Sequence, residues 1–280
     1  MVNGIDLFKE HFSDYKEQYT IIGGFACDLL MTDAGLDFRQ TVDIDMVIII
    51  EALTTEFASA FWTFIDDGGY QARHRSSGQP EFYRFVNPTD PSYPKMIELF
   101  SRPQSNVKLQ PNTHLMPLHI DDEVSSLSAI LLNDDYYHFL LNGRIEKAGI
   151  SILDAEHIIP LKMKAWIDLK SKKEQGIHVN SRDLRKHRLD VFRLFPLVRE
   201  EQEIHVPSSV LADIQNFILQ MRETDIRLSD IGISRSKESI LDIYSRMYIE
   251  EQMRKYIMNS FIPIFLFNKG KAVQIRRTGL

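Results

Sequence analysis

The apolar positions change their rhythm about halfway along the chain. In the first half they fall in short runs, and in the second half they recur at helical spacing. Ile5 to Glu17 sets Ile5, Phe8, Phe12 and Tyr15 on one helical face. Tyr19 to Ile22 predicts a short strand that ends at Gly23-Gly24, followed by a helix over Phe25 to Met31 and a loop over Thr32 to Gln40. Val42 to Ile50 is rich in β-branched residues and nearly unbroken in apolar character after its first turn, which predicts a central strand. A helix over Thr54 to Asp66 stops at Gly68-Gly69. Strands are expected near Tyr70–His74, over Glu81–Val86 and over Lys95–Phe100, with a proline-rich loop from Asn87 to Pro94.

Arg102 to Thr113 is polar and loop-like. Between His114 and Leu153 the pattern predicts several β-type runs, broken at Asn133-Asp134-Asp135 and at Asn142-Gly143. From Asp154 onward long helices are expected, over Asp154 to Glu174, Ser181 to Phe195, Pro207 to Thr224 and Ser236 to Met258. The pattern predicts an N-terminal α/β sheet domain over residues 1–153 and a helical C-terminal domain over 154–280.

Composition narrows the picture. With 280 residues, 44% apolar and 26% charged, the chain is of ordinary globular make-up, which excludes collagen, coiled-coil fibre and wholesale disorder. The single cysteine, Cys27, excludes an internal disulfide framework. The longest apolar run, Met46 to Ile50, is far shorter than the ~20 residues of a membrane span. The first residues lack the order of charge, apolar block and cleavage site of a signal peptide, so a cytoplasmic protein without a membrane partner is expected. Net charge is −6, yet between Lys162 and Arg193 ten basic residues stand against four acids. That local cationic excess suits a polyanion such as triphosphate or RNA, or else is a solvated helix face.

Three features of the sheet half carry chemistry. Gly23-Gly24, between strand and helix, either lets a ligand approach the backbone and the free N–H groups of the helix, or is only a tight connection. Asp43 and Asp45 lie two apart on a strand and so share a face, while Ile44 turns to the core. Such a pair suits Mg²⁺, which prefers carboxylate oxygens, or it is a solvated strand end. Glu98, flanked by Ile97 and Leu99, is either a third acid for that site or an outward-facing strand residue. Elsewhere Cys27, Trp62 and Trp166 read as packing residues, the nine histidines show no metal spacing, and Arg73-His74-Arg75 reads as an exposed strand end.

The run Ile21-Ile-Gly-Gly-Phe-Ala26 followed by Arg39-x-Thr41-x-Asp43-Ile-Asp45 resembles the DNA polymerase β-like nucleotidyltransferases. Within them it is similar to the AbiEii/AbiGii-type bacterial nucleotidyltransferases, known as toxins of type IV toxin–antitoxin and abortive-infection systems. The resemblance covers residues 20–50 and 95–100 and extends to Ile159–Trp166 and Asp183–Leu194. It implies an α+β fold, a polymerase β-like mixed-sheet domain followed by a helical C-terminal domain, and transfer of NMP from an NTP to an acceptor hydroxyl. Asp43, Asp45 and Glu98 would bind two Mg²⁺ ions, and Glu98 would help deprotonate the acceptor. Gly23, Gly24, Arg39, Thr41, Lys164, Lys186 and His187 would bind nucleotide, and Lys162 would steady the triphosphate. Asp190 matches the family's helical-domain aspartate, with Asp183 as a rival. A tRNA or other RNA 3′ end is the implied acceptor, and a cognate antitoxin the implied partner. Gly24 stands where a serine is common, and His187 where related toxins often carry an acid. Two alternatives remain open: a transferase acting on a small molecule or protein, and a non-catalytic member that binds nucleotide or a partner.

Overall fold

The structure is a computed structural model that describes residues 2–74, 80–100, 130 and 133–251, with backbone alone at 72–74 and 80–83. The loop expected over residues 102–113, the β-type runs expected over 114–129, Arg75 and the helix end beyond Glu251 lie outside the described residues. Residues up to Glu250 form one compact unit, which is the subject below.

The architecture is α+β. A seven-stranded mixed sheet runs in the order β3-β4-β5-β2-β1-β7-β6. Its strands are β1 (Tyr19–Ile22), β2 (Asp43–Ile48), β3 (Gln71–His74), β4 (Pro80–Val86), β5 (Met96–Phe100), β6 (Arg144–Lys147) and β7 (Ile150–Leu153). β2 pairs antiparallel with β1 and parallel with β5, so it sits at the centre, as its β-branched run predicts. Helices α1 (Ile5–His11), α2 (Gly23–Asp33) and α3 (Thr55–Asp67) belong to this part of the chain. Phe8, Phe12, Tyr19, Phe57 and Phe64 pack ring against ring, joining α1, β1 and α3 into one apolar core.

Sheet gives way to helix at Asp154, which caps α5 (Ala155–Glu174) by accepting from the His157 N–H. The long α5 packs against α2, α6 (Ser181–Arg193) and α7 (Ser208–Arg222). A last helix, α8 (Lys237–Met247), leads to β9 (Tyr248–Glu250), which pairs in parallel with β8 (Ile204–Val206). Among the described residues no helix is long and apolar enough to cross a membrane.

Three expectations are corrected. Asp134–Asn142 is a helix, α4, and not a β-type run: Asn133 accepts from the Asp135 and Tyr136 N–H groups, and two acids follow in the first turn. The helix begun at Ser236 ends at Met247, where Tyr248 and Ile249 join a strand. The first helix ends at His11, with 3₁₀ turns over Ser13–Gln18.

Candidate active site

The glycine pair opens α2 directly from β1. Gly23 has φ 72°, the left-handed region that suits glycine, and a Cβ there would strike the Asp45 carboxylate. A Cβ on Gly24 would meet Thr41 Oγ1 at 2.7 Å and Arg39 Nη2 at 3.2 Å. The small residues therefore let β2 and the loop before it close onto the start of α2. The serine common at the second position would have to displace Thr41 or Arg39.

On β2, Ile44 is fully buried while Asp43 and Asp45 are half-buried on the opposite face. Across the sheet Asp45 pairs in register with Glu98 on β5, and Glu98 with Arg84 on β4. Directly opposite residues present their side chains on one face, so Arg84, Glu98 and Asp45 form a row over three strands. Arg84 Nε is ion-paired with Glu98 Oε1. Burial of the Asp45 carboxyl, with Glu98 and then Asp43 adding negative charge, pushes it up to about 8, against the pull of Lys186 and Lys162.

The helical half supplies the opposite charge. Asp190 on α6 is fully buried and is met by three cations. Arg39 donates from Nε at 3.0 Å and from Nη2 at 2.9 Å, and Arg193 from Nη1 at 3.1 Å. Lys162 Nζ on α5 stands 3.3 Å away, itself only 4% exposed. Burial alone would raise the Asp190 carboxyl, but Lys162 and Arg39 outweigh it and hold it down at about 2. Arg39 also lies over the Phe38 ring, 5.2 Å from its centroid.

His187, three residues before Asp190, belongs to the same surroundings. Burial, then the charges of Lys162 and Lys186, hold its imidazole well below the usual histidine range, so it is neutral. Its Nδ1 is cut off from solvent with no partner among the described residues. Cys27 is buried in α2, its Sγ donating to the Gly23 carbonyl at 2.9 Å, and burial pushes the thiol up to about 12.

The structure thus brings together Gly23, Gly24, Arg39, Thr41, Asp43, Asp45, Glu98, Lys162, Lys186, His187 and Asp190. Lys164 is placed elsewhere. Two residues from Lys162 on a helix means another face, and Lys164 bonds Asp168 at 3.1 Å and Asp213 at 3.3 Å. That clamp between α5 and α7 includes Tyr136, whose hydroxyl donates to Asp213 at 3.0 Å. Asp183 lies in the first turn of α6, about two turns from Asp190, so Asp190 is the aspartate of the cluster. Asp190 is committed to these three cations, which it holds together at the start of the helical half. Reading the chain alone singled out neither Arg84, placed by cross-strand register, nor Arg193 as a partner of Asp190. The second was legible from the i,i+3 spacing.

Among the described residues no three side chains of His, Cys, Asp or Glu converge closely enough to hold a metal ion by themselves. The donor chemistry of Asp43 and Asp45 nonetheless fits a hard divalent cation. They are adjacent carboxylates, and the negative charge crowding Asp45 is what such an ion would neutralise. Glu98, ion-paired with Arg84, does not complete a three-carboxylate group with them in this arrangement.

No model of a known protein family matches the sequence, and no curated protein matches it. Among solved structures, the chain is similar to an antigenic nucleotidyltransferase-like protein from Paracoccidioides brasiliensis. Identity is 17%, with 89% of this chain and 96% of that chain covered at a TM-score of 0.40. It is also similar to the antibiotic-resistance factor ANT(2'')-Ia at 13% identity, covering 69% of this chain and 86% of that one, with a TM-score of 0.31. At these levels the side chains of the cluster, not the likenesses, are the ground for a functional reading.

Proposed function

We propose that the protein is a divalent-cation-dependent nucleotidyltransferase of the AbiEii/AbiGii type, moving NMP from an NTP to an acceptor hydroxyl. The acceptor oxygen bonds to the α-phosphorus, pyrophosphate leaves, and the hydroxyl proton passes to a base. The observation that carries this reading is the opposition of two charge clusters. Asp43 and Asp45 face out from β2 behind a glycine turn, and Lys162 and Lys186 on the helices, with Arg39 from the loop before β2, supply the opposite charge.

Asp43 and Asp45 would hold Mg²⁺, with Glu98 beside them. When bound, two such ions supply charge neutralisation on the phosphoryl oxygens and orient attacking and leaving groups. Lys162, Lys186 and Arg39 would bind the triphosphate, and Asp190 would keep Lys162 and Arg39 aimed. Glu98 would receive the acceptor proton. Gly23 and Gly24, at the start of α2, would line the phosphate path.

RNA is the acceptor class we favour, a tRNA 3′ end first. On α6, Arg182 and Arg185 are exposed. The Arg188 guanidinium is held below its ordinary value by burial and then by Arg185, and its Nε lacks a partner among the described residues. Uncompensated guanidinium groups that repel one another favour a phosphate backbone. With that acceptor the protein would act in the cytoplasm as a toxin or phage-defence effector, restrained by a cognate antitoxin.

Incubation with each α-labelled NTP, Mg²⁺ and total bacterial RNA, resolved on a gel, tests the reading. Label on an RNA band supports it. Transfer to protein or to a small acceptor removes the RNA part. A second reading, metal-dependent nucleotide binding without turnover, is favoured by the engagement of Glu98 with Arg84. Retention of labelled NTP with no transfer to any acceptor would select it.

A further inference from the structure

We propose that the Thr41 hydroxyl is a hydrogen-bond donor to a phosphate group of the NTP, standing in the space that the absent side chain of Gly24 leaves open. The inference rests on the nucleotidyltransferase reading and deepens it. It names the side chain that holds phosphate at the start of α2 and the glycine that makes room for it.

Three observations carry it. First, Thr41 Oγ1 lies 2.7 Å from the point where a Cβ on Gly24 would sit, and Thr41 Cβ lies 3.3 Å from it. The hydroxyl thus fills the volume of a side chain at position 24, reaching the first turn of α2 from the loop before β2. Second, Thr41 is only 9% exposed, and its hydroxyl has no hydrogen-bond partner among the described residues. Leaving an enclosed hydroxyl unpaired is costly, and valine would fill nearly the same shape without that cost. A partner that arrives with the ligand accounts for the hydroxyl. Third, no side chain caps the start of α2, a helix of 11 residues, and no acid lies in its first turn. The first N–H groups of a helix have no intrahelical partner and carry the positive end of its dipole.

The surroundings select the ligand. Arg39 Nη2 is 3.2 Å from the same point and is held there by its bond to Asp190. A guanidinium, a hydroxyl and the start of a helix all donate, and together they suit the oxygens of a phosphate rather than a base or a sugar. At Gly23, one residue earlier, the neighbour is instead the Asp45 carboxylate. The glycine pair therefore has an acidic side at Gly23 and a donor side at Gly24, and phosphate belongs on the second. The opposing possibility is that Thr41 only packs, its methyl group filling the gap beside Gly24. Hydroxyl and methyl can be removed separately.

Titration calorimetry of the full-length protein with inorganic triphosphate, Mg²⁺ present, tests the assignment without turnover. Thr41→Val keeps the shape and removes the hydroxyl. It should weaken triphosphate binding about 10–100-fold, the loss expected of a hydrogen bond to a charged group. Thr41→Ser keeps the hydroxyl and should bind close to wild type. A packing role gives the reverse order, with Thr41→Val binding as wild type and Thr41→Ser weakened, and would overturn the proposal. An exchange of the two positions is the stricter test. Gly24→Ser alone should lower the melting temperature, because its Cβ strikes Thr41. In a Thr41→Ala background the same serine should fit and restore much of the affinity that Thr41→Ala loses, a coupling rather than a sum. Should Gly24→Ser alone not fold, the double variant still reports against Thr41→Ala. A double variant that binds no tighter than Thr41→Ala would overturn the placement of the hydroxyl. Orthophosphate, with a single phosphate to offer, should bind far more weakly; equal binding would make this a free-phosphate site and overturn its assignment to the NTP. Lys162→Ala separates failure of this role from failure of the reading beneath it. If wild type does not bind triphosphate, the nucleotide reading fails and takes the role of Thr41 with it. If Lys162→Ala weakens triphosphate binding and Thr41→Val does not, only the role of Thr41 is wrong.

Discussion

Two aspartates in this protein live in opposite fields. Asp45 is crowded by acids and pushed up to about 8, while Asp190 is ringed by cations and held at about 2. Asp43→Asn should remove one of the crowding charges without changing shape. It should abolish NMP transfer, yet leave the metal-free protein as stable as wild type or more so; a lower melting temperature with transfer retained would end the active-site reading. Asp190→Asn should do the reverse to the fold. Three cations would lose their common anion, and breaking a buried charge cluster of this kind costs about 3–5 kcal/mol, so a large fall in melting temperature is expected. The acid limb of stability should carry the same signature. Because its folded value lies below that of the unfolded chain, Asp190 contributes stability above about pH 4 that is lost as the pH falls toward about 2, and Asp190→Asn should flatten that limb. An unchanged acid profile would show that the cluster is not held by charge.

At the level of elements, much was legible and the misses have physical causes. The run Val42 to Ile50 announces a central strand, and the i,i+2 spacing of Asp43 and Asp45 announces a shared face, because the strand period is fixed by the backbone. Asp134–Asn142 misled because Tyr136, Tyr137 and Phe139 are residues that strands favour, whereas Asn133 and the two acids after it are a helix start. Lys164 misled because sequence proximity to Lys162 does not put two helix residues on one face. Arg84 was invisible, since register between β4 and β5 is set by the whole sheet. Lysines 162 and 164 now make a paired test. Lys162→Ala should raise the apparent KM for NTP and lower kcat, with Arg recovering only part. Lys164→Ala should lower stability by loosening the α5–α7 clamp and leave the KM for NTP near that of wild type. Equal effects on KM would return Lys164 to the site. On α6, replacing Arg185 and Arg188 by Ala should reduce the salt dependence of RNA binding, because fewer counterions are released. Shallow and unchanged salt dependence would favour a small acceptor.

Across the whole molecule, the Asp190 cluster is what ties the two kinds of structure together. Arg39 comes from the loop before β2, Lys162 from α5, and Asp190 and Arg193 from α6, so one buried carboxylate connects the sheet and the helices within the unit that runs to Glu250. In the proposed function the aspartates on β2 and the cations on the helices would form the two sides of one ligand site, and a metal–nucleotide complex would bridge them. Binding to the native state alone stabilises it by about 2.7 kcal/mol when ligand is a hundredfold above its Kd. Mg²⁺ with NTP should therefore raise the melting temperature of the wild type by several degrees. Each component separately should do less, because Mg²⁺ alone leaves the cations unanswered and NTP alone brings phosphate charge toward Asp43 and Asp45. Asp43→Asn should lose most of the joint effect, and Lys162→Ala should lose it from the other side. A shift that NTP produces in full without Mg²⁺, and that Asp43→Asn leaves intact, would place the nucleotide on the helical cations alone and remove β2 from the site.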